Sequence, residues 1–441
     1  MEKNNLNKRD GFKTKFGFVV ACIGSAVGMG NIWMFPYRVG QFGGASFLIP
    51  YFIFVALIGI TGVIGEITFG RSMKSGPLGA FKKALEMRGH KWGEALGLIP
   101  VLGSLAIAIG YSVVVGWILK FTVGSITGAV TSAPDSAAYF GSIAGSFGSV
   151  PWHLTALVIV FAFMILGIAK GIEKVNKVMM PAFFIMFLIL AIRVATLDNV
   201  AEGYKYLFTL NTEALADPKT WVYALGQAFF SLSLAGCGTV VYGSYLSDKE
   251  DVVAGAKNIA LFDTIAAMLA AVVIIPAVFA FGLDPAAGPP LMFITMPTVF
   301  KMMPMGALFA SVFFIAVLFA GITSLVNLFE SPIEALQEKF GLKRAYAVEI
   351  VAAIAIIVGV LIENGDMVGK WMDFVSIYIV PVGALLAAIM VFWVCGKGYA
   401  TKHAQLGRIK PIGSWFEPLS RYGFVGITIA VLILGTIYGG I

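Results

Sequence analysis

Apolar residues run along this chain in long blocks and show no strand-like alternation. Blocks of about 20 residues, enough to cross a bilayer core as a helix, recur at approximately 16–37, 44–71, 93–122, 152–169, 174–196, 220–245, 254–282, 304–336, 344–362, 370–396 and 420–439. The short alternating segments that a transmembrane barrel requires are absent. The pattern predicts an all-α polytopic membrane protein with eleven spans and termini on opposite sides. Between the blocks, the stretch after Gly124 is rich in Gly, Ser and Ala and reads as an external loop. The stretch 283–301, with "DPAAGPP" followed by "FITMPTVF", reads as a re-entrant or capping external element. No cleavage-site pattern follows the first span, so no removable signal peptide is expected.

Two blocks break the helical rule at their centres. In "GSAVGMGNIWMFP", 24–36, Gly24, Gly28 and Gly30 precede Asn31, and Pro36 follows. In "GQAFFSLSLAGCGTVVYGSY", 226–245, Ser231, Ser233, Gly236 and Gly238 fall in mid-span. Each Gly costs about 1 kcal/mol in a helix interior, and hydroxyls compete there for backbone groups. The two blocks are the first and sixth spans, the first members of two five-span halves. Because five is odd, the second half enters the membrane inverted. Paired Gly-interrupted spans at matching positions point to a midplane binding site, since non-helical backbone at that depth must line a cavity or be buried in protein. Close helix packing through small residues is the alternative reading of each break taken alone.

Charge adds topology. Hydrophobic residues make up 59% of the 441 residues and charged ones 12%, far from a soluble composition. The net charge of +7 could suggest a nucleic-acid partner, but Lys and Arg cluster before span one, at 71–91 and at 170–177, while Thr122–Pro151 has none. That alternation is the positive-inside bias. It predicts a multi-pass protein of the plasma (inner) membrane with a cytoplasmic N-terminus and an extracellular C-terminus, and no nucleic acid. The dispersed Cys22, Cys237 and Cys395 argue against a disulfide framework and a metal cluster. The histidines, His90, His153 and His403, are read as lying in or near loops, well apart. No nucleophile–base set and no P-loop suggests an enzyme or an ATP-driven pump.

The motifs "GSAVGMGNIWMFPY", "GQFGGASFLIPY", "GQAFFSLSL" and "GITSLVNLFESP" identify the chain by resemblance as a member of the neurotransmitter:sodium symporter family. The likeness covers spans one to ten. It implies a five-plus-five inverted-repeat, broken-helix fold, with repeats at about 10–197 and 219–398 and one additional span at 420–439, in a single transporter domain over 1–441. Most members have twelve spans and some bacterial ones eleven.

The resemblance further implies two sodium sites. The Ala26 carbonyl, Asn31 and Ser231 would join Asp263 and the substrate carboxylate in the first; the carbonyls of Gly24, Val27 and Ala320 would join Thr323 and Ser324 in the second. Thr323 and Ser324 can instead bond carbonyls of their own helix. Gly28 and Gly30, with the Tyr111 hydroxyl, would hold a carboxylate at a helix N-terminus. Carbonyls near Phe230 and Ser231 would take the ammonium. Gly28 stands where carriers of bare amines have an acid, so an amino acid is expected. Ile107, Tyr111, Phe230, Ser233, Gly236, Leu325 and Leu328 would line the side-chain pocket. Gly236 replaces a bulky aromatic ring of leucine-preferring relatives, which leaves room for Trp, Tyr or Phe; it is equally a residue that breaks a helix.

Other positions carry gates and support by the same likeness. Glu66, isolated in span two, would cap broken span six, with proton carriage as the other reading of a carboxylate at that depth. Arg9 and Glu338 match a cytoplasmic ion pair, with Phe12, Ser244, Tyr245 and Glu330 around it. Outside, Asp373 matches the acid of an ion pair, but Met34 stands at its Arg position and Arg38, one turn on, is the candidate substitute. Tyr51, Gln227 and Ser231 match three of four chloride ligands, and Ala267 occupies the fourth position. Asp263 supplies a fixed negative charge, so chloride independence is expected. "GIEKVNKVMMP", 171–181, is either a kinked helix or a segment that unwinds toward the cytoplasm. The leading expectation is sodium-coupled uptake of hydrophobic or aromatic L-amino acids, with an amino-acid sensor or a channel of the same fold as the alternatives.

Overall fold

The computed structural model describes residues 11–234 and 237–438, which form helices joined by turns, with one isolated antiparallel bridge between Gly44 and Leu210. All eleven apolar blocks coincide with helices. Eight are single helices long and apolar enough to cross a bilayer: Ala45–Met73, Gly93–Ile126, Ile168–Ala195, Val252–Ala280, Gly306–Phe340, Arg344–Leu361, Gly365–Val394 and Phe416–Tyr438. Span one is a pair, Lys15–Ala26 and Gly30–Gln41, bent by 50°. Span four is the shorter Val150–Ile165, and span six is broken into Pro218–Ser231 and Gly238–Ser244.

Local chemistry sets where several of these helices start. Thr14 caps span one by accepting the Gly17 N–H, Asp217 caps span six through Lys219 with Pro218 at the first position, and Asp251 caps span seven through Ala254. Lys170, Lys174 and Lys177 lie on the first turns of span five rather than in a loop.

Packing separates a scaffold from the broken spans. The longest shared interface joins spans three and eight. Span two meets the second half of span six backbone to backbone: a Cβ on Gly70 would stand 1.8 Å from the Val240 carbonyl oxygen, and one on Gly243 2.4 Å from that of Ile67. Only glycine permits that approach, the small-residue device of membrane helix packing. Away from the core, Val158, Val178, Ile192 and Leu361 are exposed, as a lipid-facing surface requires.

The stretch 283–301 is a cap. Its helix Leu291–Met302 sets the Phe293 ring against Trp33, Trp117, Phe121 and Phe140. The Trp33 indole donates to the Pro289 carbonyl at 2.8 Å, which fastens the cap to the upper half of span one.

Candidate functional site

The opening break begins where Val27 leaves the helix for an extended conformation (φ −72°, ψ 106°). The chain re-enters a helix through a wide π-turn at Gly30–Met34, so Pro36, which lacks an N–H, falls in the first turn of a new segment. Three local bonds hold the break open. The Gly28 N–H donates to Asn31 Oδ1 (3.0 Å), the Met29 N–H to the Tyr111 hydroxyl (2.9 Å), and Gln227 Nε2 to the Gly30 carbonyl (2.7 Å).

Span six breaks at the same depth. Ser233 (φ 54°) and Cys237 (φ 56°) both adopt the left-handed region disfavoured for non-glycine residues. The Ser233 hydroxyl donates to the Ser25 carbonyl at 2.6 Å, so one break is hydrogen-bonded directly to the other. Gly236 lies outside the described residues. Glu66 is buried and accepts a hydrogen bond from the Thr239 hydroxyl, in the first turn of the second half of span six.

Around these breaks the polar side chains gather in two groups. In the first, Asp263 is wholly buried. Its carboxylate accepts from the Ser231 hydroxyl (2.8 and 2.9 Å) and from Asn31 Nδ2 (2.7 Å). Here the structure differs from the expected ligand set. The Asn31 oxygen faces the Gly28 N–H, and its nitrogen faces Asp263, because a carboxylate draws donors. The broad terminal torsion of Asn makes the reverse orientation the accessible alternative. Ala26, closing the first half of span one, is buried, as are Tyr51 of span two and Gln227 and Ala267, which stand one turn from Ser231 and Asp263.

In the second group, Ser324 Oγ lies 3.3 Å from the Gly24 carbonyl and 3.1 Å from that of Val27. Thr323 behaves otherwise and bonds the Phe319 (3.0 Å) and Ala320 (3.1 Å) carbonyls of its own helix. One hydroxyl of the pair thus reaches across to span one and the other stays local. Asn176, in span five and absent from the sequence reading, presses Oδ1 within 1.9 Å of where a Cβ on Gly24 would stand.

The apolar part of the site lies between spans three, six, eight and ten. Ile107, Phe230 and Leu328 share a cluster with Met372, Val375, Val380 and Trp371. Leu325 packs in the main core instead. The span-ten residues were not legible in sequence, where they are one more stretch of an apolar block. Above the cluster a vestibule of about 620 Å³ is lined by Tyr111, Phe230, Met34, Arg38, Trp117, Asp373 and others. Arg38 and Asp373 both face it, but Arg38 is engaged elsewhere: its guanidinium sits 4.8 Å from the Tyr223 ring centroid and 3.5 Å from the Tyr223 carbonyl.

At the opposite end the Phe12 ring packs edge-on against Phe18, Tyr242 and Tyr245. The Tyr245 hydroxyl donates to Glu330 (2.8 Å), which also receives a bidentate pair from Arg344 (2.9 and 2.7 Å). Arg344 was missed in the sequence because it reads as an ordinary flanking charge. Arg9 lies outside the described residues; Glu338 accepts from the Ser75 hydroxyl at 2.6 Å. Ser244 turns back onto the Val241 carbonyl. The 171–181 stretch is wound, with Pro181 inside a continuous helix. Its Glu173 takes the Lys13 N–H (2.7 Å), the Thr14 hydroxyl (2.8 Å) and Lys177 (2.6 Å).

Two broken helices joined at their breaks, with buried oxygens beside them, a vestibule on one side and an aromatic and ion-pair cluster on the other, define a broken-helix secondary carrier. The sodium:neurotransmitter symporter family model matches residues 9–142 and 137–435. The chain belongs to this family, one of sodium-dependent transporters and not of enzymes. The sodium-dependent transporter YhdH of Bacillus subtilis is 35% identical over 395 residues, 86% of either chain. The mouse sodium-dependent neutral amino acid transporter B(0)AT3 is 32% identical over 61% of this chain and 48% of its own. Among solved structures, MhsT in complex with L-phenylalanine superposes with a TM-score of 0.86 at 32% identity, covering 98% of this chain and all of that one.

Proposed function

We propose that this protein couples sodium entry to the uptake of a hydrophobic or aromatic L-amino acid by alternating access, without chloride. The observation that carries this reading is the direct bond from Ser233 of one break to the Ser25 carbonyl of the other. It brings the non-helical backbone of both breaks together beside the Ile107–Phe230–Leu328 cluster, where the groups are held by side chains rather than by their own helices. An α-amino acid suits that polarity, with its carboxylate toward the Gly28–Gly30 backbone and Tyr111 and its ammonium toward carbonyls near Phe230 and Ser231. The phenylalanine held by MhsT and the neutral amino acids named for B(0)AT3 support the substrate class.

Sodium takes hard oxygen ligands, and both polar groups offer them. The first joins Asp263, Ser231, Asn31 and the Ala26 carbonyl; the second joins Thr323, Ser324 and the carbonyls of Gly24, Val27 and Ala320. Tyr111 and Phe230 serve as the lid, with Arg38 and Asp373 above it; Phe12, Tyr245, Glu330 and Glu338 form the inner closure, with Arg9 as a further partner. Glu66 steadies the second half of span six through Thr239. The positive-inside bias of the basic flanks supports a cytoplasmic N-terminus in a plasma membrane, and the protein is read as one transporter unit with inverted repeats at about 10–197 and 219–398.

Uptake into proteoliposomes with and without a sodium gradient, run with a panel of amino acids, is the test. Gradient-driven accumulation of Trp, Tyr, Phe or Leu is expected. Binding without accumulation marks a sensor, and flux that ignores the gradient marks a channel.

Two substitutions probe the pocket and the lid. Gly236→Phe is expected to weaken Trp and Tyr more than Leu, since overpacking costs about 1–3 kcal/mol. Competition binding reads this directly, and equal losses for all three would assign Gly236 to the backbone alone. Arg38→Ala is expected to loosen closure of the vestibule while Met34→Ala changes little, because the Arg38 guanidinium bridges to span six at Tyr223. Labelling of a cysteine placed just above Phe230, with sodium and substrate present, reports the difference; intact protection in Arg38→Ala would remove Arg38 from the gate.

A further inference from the structure

One buried oxygen beside the second polar group receives no hydrogen bond. Asn176 stands in span five and is wholly buried. Its Nδ2 donates to the Ile172 carbonyl, one turn back in the same helix, at 2.8 Å. That bond fixes the orientation of the amide, because a flipped amide would set Oδ1 against the Ile172 oxygen. Oδ1 therefore faces away from its own helix, and among the described residues no donor reaches it. A buried acceptor left without a donor is rare in folded proteins and points to a missing partner.

Opposite this oxygen lies the end of the first half of span one. A Cβ on Gly24 would stand 1.9 Å from Asn176 Oδ1 and 3.1 Å from Thr323 Cβ, so spans one, five and eight converge on this glycine. No side chain fits between the amide and the Gly24 backbone. Within 171–181 the buried polar side chains are Glu173 and Asn176. Glu173 is occupied by the Lys13 N–H, the Thr14 hydroxyl and Lys177. Asn176 Oδ1 is not.

The neighbouring groups are short of donors too. In a continuous helix the Gly24 carbonyl would take the Gly28 N–H, and the Val27 carbonyl the Asn31 N–H. The break sends the first to Asn31 Oδ1 at 3.0 Å and the second to the Gly28 carbonyl at 3.1 Å. Ser324 has one hydroxyl proton for the two released carbonyls, at 3.3 and 3.1 Å. Thr323 directs its own proton to carbonyls of its helix. Acceptors thus outnumber the protons offered to them, and a hard cation is the partner that satisfies several oxygens at once. The basic side chains beside Asn176 in the chain do not take that place. Lys174 is exposed, and Lys177 pairs with Glu173 at 2.6 Å.

We propose that Asn176 contributes its amide oxygen to the second sodium site, so that span five holds the ion together with spans one and eight. This rests on the two-site reading above, which draws that site from spans one and eight alone. A side-chain oxygen anchored by its own Nδ2 bond adds a ligand without adding charge. It also helps to set the size of the cage, and cage size and ligand number govern the choice between ions of equal charge.

The test reads ion binding rather than transport. The full-length protein in lipid nanodiscs is unfolded by heat with no amino acid present, while sodium chloride replaces choline chloride at constant ionic strength. The sodium-linked rise in unfolding temperature, taken from each variant's own value in choline, gives a sodium midpoint. Asn176→Leu keeps the volume and removes the oxygen; Asn176→Ala stands in where the Leu variant does not fold. The midpoint is expected to rise about tenfold or more, the scale of one contact between a neutral group and an ion. The ratio of lithium to sodium midpoints should change with it, and lost packing alone would shift both ions equally. Double-mutant cycles give the location: Asn176→Leu should be non-additive with Ser324→Ala and nearly additive with Asp263→Asn. An unchanged midpoint in Ser324→Ala would remove the two-site reading and this ligand with it. A raised midpoint in Ser324→Ala with parental values in the Asn176 variants would overturn the ligand alone, as would equal shifts for lithium and sodium.

Discussion

Asp263→Asn is expected to cost this transporter most of its sodium affinity while leaving the fold intact. The carboxylate is wholly buried and accepts from Asn31 and Ser231. A neutral amide of the same size keeps one acceptor and turns a donor toward groups that already donate. Truncating one partner of a buried charged contact costs about 2 kcal/mol or more, which is about thirtyfold in affinity. A sodium titration of phenylalanine binding reads this, and thermal unfolding of the same sample separates it from misfolding. The anion provides the second arm. Replacing chloride by gluconate should leave wild-type uptake unchanged, because the Asp263 carboxylate would supply a fixed negative charge beside the proposed first sodium. In Asp263→Asn combined with Ala267→Ser, one helical turn away, chloride should restore part of the loss. Strong chloride dependence of the wild type would refute this role for Asp263.

Much of this arrangement was legible in the chain because the membrane imposes strict rules. Every span must satisfy its own backbone, so a glycine-rich, hydroxyl-rich interruption stands out against an apolar block, and both breaks were visible at 24–36 and 226–245. The cap at 283–301 was legible for a similar reason, since Gly and Pro punctuate it. Pairings between spans were not. Asn176 and Arg344 read as ordinary polar residues near helix ends, and only the packing of span five on span one sets Asn176 against Gly24, as that of span nine on span eight pairs Arg344 with Glu330. His153 shows the limit most clearly. It lies at the very start of a short span, where a flank and a core position look alike, and its burial depends on Gly116 and Gly359 in two distant helices. The orientation of the Asn31 amide is set by the Asp263 carboxylate from span seven, and spacing within span one carries no trace of it.

Gly28→Val is expected to remove substrate binding more completely than any change in the apolar pocket. A Cβ at Gly28 would stand 2.5 Å from Ser324 Oγ and 2.8 Å from the Tyr111 hydroxyl. The first of these bridges the Gly24 and Val27 carbonyls, and the second holds the Met29 N–H. A branched side chain must therefore displace both, and the space it takes borders the non-helical backbone of the break. Overpacking a fitted site costs about 1–3 kcal/mol, corresponding to about 5- to 150-fold in affinity, before the loss of the displaced hydrogen bonds is counted. Because Ser324 belongs to the proposed second sodium cage, the sodium requirement should rise together with the loss of amino-acid affinity. A pure steric block of the substrate would leave sodium binding untouched. The two are separated by measuring sodium-dependent protection of a reporter cysteine with no amino acid present. If Gly28→Val shifts phenylalanine affinity but not that sodium dependence, the glycine serves only to admit the carboxylate. If both shift together, Gly28 is where the second cage and the substrate site are mechanically joined, since the Ser324 hydroxyl and the Tyr111 hydroxyl meet across a space that only a hydrogen atom can occupy.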